Sequence, residues 1–208
     1  MYKNKGFTLV ELSIVIVIIS IIIAGISAGV GVVKQSKILS TISDLNKFNL
    51  YINTFVLQYN AMPGDMKNAS AYWSGAVDGN GNKKIEESLN VWNHLRLAGF
   101  TINASANSYP IPPVNTRGIY RQIFYTSIYS PYGNNINPIV IWPNDYGTWG
   151  MTRSLLSAKN SKAIDDKIDD GIPNRGKIMT FSDQPCVLGA TYDLSSSITR
   201  CALAYILK

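Results

Sequence analysis

Between Phe7 and Val33 the chain has no lysine, no arginine, no aspartate and no proline, and its single carboxylate is Glu11. A run this poor in charge excludes a solvated surface helix, which needs a polar face. It is instead long enough to cross a membrane, since the hydrocarbon takes about 20 apolar residues. At roughly 1.5 Å per residue the stretch reaches about 40 Å as a helix. Cysteine and histidine are also scarce, with Cys186, Cys201 and His94 the only ones in 208 residues. Two cysteines without a Cys-x-x-Cys spacing, and one distant histidine, argue against a zinc site. No Gly-x-Ser-x-Gly, His-Glu-x-x-His or phosphate-binding loop is present, so the common catalytic frameworks are absent. The remaining lysines and arginines are scattered. A nucleic-acid groove wants basic residues clustered with stacking aromatics, so no nucleic-acid partner is indicated.

What is present is organised around Glu11. A lone carboxylate inside an apolar segment costs on the order of 2–3 kcal/mol even on lenient insertion scales. It therefore calls for a partner. A secretory signal peptide would use Lys3 and Lys5 as its basic region, but the apolar core is too long and Gly25-Ile26-Ser27 makes a poor cleavage site. A plain membrane anchor tolerates an intramembrane carboxylate without needing one.

Lys5-Gly6-Phe7-Thr8-Leu9-Val10-Glu11-Leu12 resembles the prepilin cleavage and methylation signal of type IV pilins and type II secretion pseudopilins. It has a short basic leader, Gly at the cut, Phe after it and Glu at the fifth position of the cut chain. The resemblance implies cleavage between Gly6 and Phe7 by a membrane prepilin peptidase, and N-methylation of Phe7. It also implies that Glu11 faces the Phe7 amine of a neighbouring subunit. The physics agrees, because an ammonium and a carboxylate buried together satisfy each other while either alone is penalised. Many type IV pilins carry a proline at the position matching Ala28. Its absence here leans toward a pseudopilin-like or divergent member.

The formal charge of +6 falls to +4 once Lys3 and Lys5 leave with the leader. In an exported chain, Cys186 and Cys201 read as a disulfide. Closing a loop of about 15 residues is worth on the order of 3 kcal/mol in the chain-entropy view.

Taken in order, residues 1–6 are the leader, with its lysines on the cytoplasmic side. Residues 7–33 form the apolar half of a helix, in which Gly25 and Gly29 give a GxxxG spacing that permits close helix approach. Residues 34–60 continue it amphipathically. Ile38, Ile42, Leu45, Phe48, Ile52, Phe55 and Tyr59 recur at steps of three and four, while Lys34, Lys37, Asp44 and Lys47 interrupt them. Pro63-Gly64 stops the helix. Residues 61–208 are the head.

In the head, Asp65 is placed to cap a short helix running through Trp73. Asp78, Asn80 and Asn82 have the spacing of a calcium loop. Lys83 and Leu89, however, stand where that loop wants Gly and a bidentate Glu, so a solvated turn is the competing reading. Residues 88–98 read as a helix ended by Gly99, carrying His94 in a surface or packing role. Residues 109–115 form a stiff linker. Strands are expected over 117–130 and 136–142, joined at Gly133-Asn134-Asn135. Trp142, Tyr146 and Trp149 suit either a binding platform or core packing, the latter being commoner. A second amphipathic helix over 153–170 carries Asp165, Asp166, Asp169 and Asp170, read as a solvated face. Residues 178–181 and 201–207 complete the strands.

The expected fold is α+β. A long N-terminal helix, apolar in its first half, packs its second half on an antiparallel sheet head with short extra helices. The expected function is structural, as a pilin or minor pseudopilin in a helical filament. The implied partners are the inner membrane, prepilin peptidase, other subunits and an assembly platform. No catalytic residue or cofactor is assigned, calcium excepted. The implied location is the bacterial inner membrane, single-pass, with the head in the periplasm, or a cell-surface pilus after assembly. A membrane-anchored enzyme or ligand-binding domain is the alternative.

Overall fold

The computed structural model describes residues 6–85, 88–100, 120–123, 138–142, 156–180, 186–195, 201 and 203–207. The linker at 109–115, the turn at 133–135 and the side chains of Trp142, Tyr146 and Trp149 lie outside them. The chain divides into two units, Met1–Ser40 and Thr41–Lys208.

The first unit carries the start of helix α1, which runs from Leu9 to Tyr59. Every residue from Gly6 to Lys37 is exposed. Three serines sit in this apolar run, and their hydroxyls turn back onto the helix. Ser13 Oγ donates to Val10 O at 2.8 Å, Ser20 Oγ to Ile16 O at 2.7 Å and Ser27 Oγ to Ile23 O at 2.9 Å. Such back-bonding lets a polar side chain sit in an apolar setting without an orphaned donor.

The second unit holds the core. The last turns of α1 present Thr41, Leu45, Phe48, Ile52 and Phe55 as one buried stripe. The steps of four, three, four and three are those of a helix face. Ile42 and Tyr59 flank it as half-buried residues. The stripe meets α3, Ser88–Leu97. Phe48 sets its ring edge-on to Trp92 at 5.0 Å between centroids, and Tyr51 meets Phe100 at 5.0 Å. Further along, Phe55 lies 6.0 Å from Trp73 and 6.3 Å from His94. Ring contacts at these spacings add to the area they bury, and only the Phe48–Trp92 pair is edge-to-face among these four. α3 ends at Gly99, whose φ of 87° only glycine adopts without strain, and Phe100 N closes the turn onto Leu95 O at 3.0 Å.

Four strands form one antiparallel sheet in the order β1-β2-β6-β3. β1 is Tyr120–Ile123, β2 Pro138–Trp142, β3 Ile178–Thr180 and β6 Leu203–Ile206. Tyr120 pairs with Trp142, Ile139 with Tyr205, and Ile178 with Tyr205 from the other side. Leu203, Ala204 and Tyr205 are all buried, so this central strand is covered on both faces. A separate two-stranded hairpin, β4 Val187–Leu188 and β5 Thr191–Tyr192, follows β3. Helix α4, Ala158–Ile168, lies against β3 and β5. The Cys186–Cys201 disulfide joins the base of the hairpin to the approach to β6, with the Cα atoms 5.5 Å apart. The fold is α+β, with two small antiparallel sheets instead of the single one expected.

Two expectations are corrected. The short helix α2 is Ala69–Tyr72 and Asn68 stands at its N-cap, so Asp65 does not cap it. Asp165 is fully buried, so the carboxylates of α4 are not one solvated face.

Phe55 is fully buried at the meeting point of α1, Trp73 and His94. Phe55→Ala is expected to lower the stability of the second unit by about 3–5 kcal/mol, the range for deleting a core aromatic. Urea unfolding followed by tryptophan fluorescence measures it, and a loss below about 1 kcal/mol would contradict this packing.

Candidate functional site

The N-terminal segment is built on a threonine. Thr8 precedes the first turn of α1, and its Oγ1 accepts from Glu11 N at 3.2 Å. Glu11 reaches back in turn. Its Oε2 accepts from Thr8 N at 2.8 Å and from Thr8 Oγ1 at 2.8 Å. This reciprocal pair is a capping box, which satisfies donors a helix start would otherwise leave orphaned. A carboxylate in the first turn also suits the positive end of the helix dipole. The Thr-x-x-Glu spacing is legible in the sequence, yet the role of Thr8 emerges only when the two side chains are seen to bond. Both Thr8 donors converge on Oε2. Among the described residues no donor reaches Oε1. Gly6 and Phe7 are exposed ahead of the helix, and the Phe7 ring is 90% exposed.

Two segments of the head are shaped by carboxylates. In the first, residues 62–85 wind around Asp65, itself buried. Its Oδ1 accepts from Gly81 N at 2.8 Å and its Oδ2 from Lys83 N at 2.6 Å. Its backbone carbonyl accepts from Gly81 N as well, at 3.0 Å. These amides lie 16 and 18 residues away, and no local sequence signal announces the pairing. Asp78 takes over the capping of α2. Its carboxylate accepts from Ser70 N at 2.7 Å and Ser70 Oγ at 2.9 Å, and those bonds hold it below the usual carboxylate range. Asn80 Oδ1 accepts from Asn82 N at 2.9 Å, and Asn82 Oδ1 from Lys84 N at 2.7 Å. Asp78, Asn80 and Asn82 thus each spend an oxygen on shaping the loop. A calcium ion there would share all three with existing hydrogen bonds.

His94 ties this loop region together. It is fully buried on α3. Its Nδ1 accepts from Gly64 N at 2.9 Å, so its Nε2 carries the proton and donates to Val77 O at 2.8 Å. Burial pushes the imidazole below its ordinary value, opposed by the Val77 bond and the nearby Asp78. The neutral ring is the form that pins both ends of the loop, which settles its role as packing.

The second carboxylate segment closes α4. Asp165, Asp169 and Asp170 bring oxygens within 4.8 Å of one another. Asp165 Oδ2 accepts from Tyr192 Oη at 2.8 Å, tying the helix to β5, and its Oδ1 accepts from Gly171 N at 3.2 Å. Asp169 accepts from Lys177 N and Ile178 N at the entry to β3. Asp170 accepts from Ile172 N at 2.9 Å and pairs with Arg175 at 2.7 Å. The three carboxylates thereby shape the helix-to-strand turn. Burial raises the Asp165 carboxyl to about 6, with its two hydrogen bonds opposing and the neighbouring Asp170 and Asp169 adding to the rise. Burial, and then Asp165, push the Tyr192 phenol up.

Residues 1–27 match the family model described as the prokaryotic N-terminal methylation motif, the type IV pilin and pseudopilin signal. No curated protein and no solved structure matched the chain. The match covers the segment holding Gly6, Phe7, Thr8 and Glu11 and leaves the head outside it.

The buried Asp165 makes a pH prediction with a definite sign. Its folded value lies near 6 and its unfolded value near 3.8, so the folded chain binds the extra proton between them. Stability from this group is therefore full below the unfolded value and is lost as pH rises from about 4 to about 6. Asp165→Asn mimics the protonated carboxyl. Its stability relative to the native chain is expected to climb across that window and then level off, as read by urea unfolding at stepped pH. A constant difference would contradict the buried, strained carboxylate.

Proposed function

We propose that this chain is a structural subunit of a type IV pilus or a type II secretion filament. The matched signal makes it a type IV pilin-like or pseudopilin precursor, and the filament role is the further step. One observation carries the reading. The helix that begins at this signal exposes its apolar side chains all round, from Leu9 through Val33. Fully burying a Val, Leu or Ile side chain is worth about 1.5–3 kcal/mol, so such a surface is not left in water. Lipid covers it before assembly, and the same segment of neighbouring subunits covers it afterwards.

In this reading prepilin peptidase cuts between Gly6 and Phe7 and methylates Phe7. The helix holds the chain in the inner membrane, single-pass, with the head in the periplasm. Glu11 then meets the Phe7 amine of a neighbour. The capping box supports this division of labour, because Thr8 engages one carboxylate oxygen and leaves Oε1 to an outside donor. A buried ammonium–carboxylate pair of this kind is narrow in geometry and fixes one axial register between helices. Gly25 and Gly29 stand on open surface, where a neighbouring helix can approach closely. The role is structural and involves no catalysis by this chain.

The N-terminal mass of the chain purified from its native membrane tests the processing step. A start at N-methyl-Phe7 is expected. A chain still beginning at Met1, in cells with active prepilin peptidase, would return the helix to an ordinary anchor. For the register, Glu11→Val is expected to insert in the membrane normally. Removing one partner of a buried pair costs about 3–5 kcal/mol, so its incorporation into filaments should fall more than about tenfold. Incorporation equal to the native chain would sink the pairing.

A further inference from the structure

The chain contains one Asn-Gly pair, Asn80-Gly81, and two Asp-Gly pairs, Asp78-Gly79 and Asp170-Gly171. These are the chemically labile junctions of a polypeptide, because glycine leaves its amide nitrogen unhindered. At Asn80 that nitrogen attacks the side-chain Cγ. The new nitrogen–carbon bond forms, the bond from Cγ to the side-chain nitrogen breaks, and ammonia leaves with the amide proton. Water then opens the succinimide to aspartate or isoaspartate. The reacting species is the deprotonated Gly81 amide.

In the fold that amide is held twice by one residue. Gly81 N donates to Asp65 O at 3.0 Å and to Asp65 Oδ1 at 2.8 Å. Removing its proton would leave a negative nitrogen against a negative carboxylate at hydrogen-bond distance, where like charges repel strongly. The geometry also resists rotation. Lys83 N donates to the other oxygen of Asp65 at 2.6 Å, and Gly79 N to Met66 O at 2.8 Å. Gly79 packs so closely on the Asp65 backbone that a Cβ has no room. The third pair is treated alike, since Gly171 N donates to Asp165 Oδ1 at 3.2 Å. All three glycine amides that follow an Asp or Asn are thus engaged, two of them by a buried aspartate.

We propose that Asn80 is a latent deamidation site, silenced by the Asp65 carboxylate and released when the 78–83 loop opens. Conversion there adds a negative charge to the loop, and at the isoaspartate a backbone methylene, so a released loop does not return to its original form. The reading is independent of filament assembly.

The test incubates the full chain in detergent at mildly alkaline pH and follows the Asn80 peptide by mass spectrometry, with isoaspartate detected separately. The folded native chain is compared with the same chain in urea and with Asp65→Asn, which keeps the shape of residue 65 and removes its charge. Local opening sets the rate, so the folded native chain is expected to convert more than about tenfold more slowly than the unfolded one. Folded Asp65→Asn is expected to fall between them. Equal rates in folded and unfolded native chain, or no acceleration in folded Asp65→Asn, would overturn the proposal. If circular dichroism shows that Asp65→Asn does not fold, hydrogen exchange of the Gly81 amide in the native chain decides. Slow exchange supports the lock, and exchange as fast as in an open peptide overturns it.

Discussion

A long apolar helix surface left exposed is the constraint on which the rest of this protein depends. From Gly6 to Lys37 every side chain is exposed, and most of those between Leu9 and Val33 are isoleucine, valine or leucine. Burial of such side chains is the largest favourable term available to a chain of this kind. Such a surface is better placed in an apolar environment than in water. Its few polar groups are arranged to allow that. The three serine hydroxyls bond back to the helix, and Glu11 closes on Thr8. What is left is an apolar rod with one carboxylate at its tip, half satisfied from within.

The head solves a different problem with the same chemistry. Among the described residues, it has to hold 62–85 and 169–177, which are largely irregular connections, in place. Three fully or nearly buried polar side chains do so by gathering backbone amides and carbonyls. Asp65 collects Gly81 and Lys83, His94 spans Gly64 and Val77, and Asp165 links Gly171 to Tyr192. Buried polar groups are tolerable when each finds partners. The cost is visible at Asp165, whose carboxyl rises to about 6 because two hydrogen bonds do not fully offset its burial.

Much of the architecture was legible before the fold was seen, and for identifiable reasons. The stripe from Leu45 to Phe55 follows helix periodicity, which depends on nothing beyond the chain itself. Gly99 after α3 is a local stop signal, and two cysteines in the chain allow one intramolecular pairing. The errors fell where contacts cross many residues. Local spacing points Asp65 at the nearest helix and Asp165 at the nearest surface. Both lie instead at the centre of loops closed by residues 6 to 27 positions away.

The sequence by itself determined the N-terminal methylation signal, the lone carboxylate in an apolar helix, the helical spacing of the stripe from Leu45 to Phe55 and the α+β class. Each is a matter of residue type and short-range spacing, and such patterns act before any tertiary contact forms. Only the tertiary structure decided which aspartates are buried, which amides they hold, that Asp78 rather than Asp65 caps α2, and that His94 is a neutral pin. Those outcomes depend on which backbone donors arrive at a given carboxylate or imidazole, and that is set by how the loops close in space.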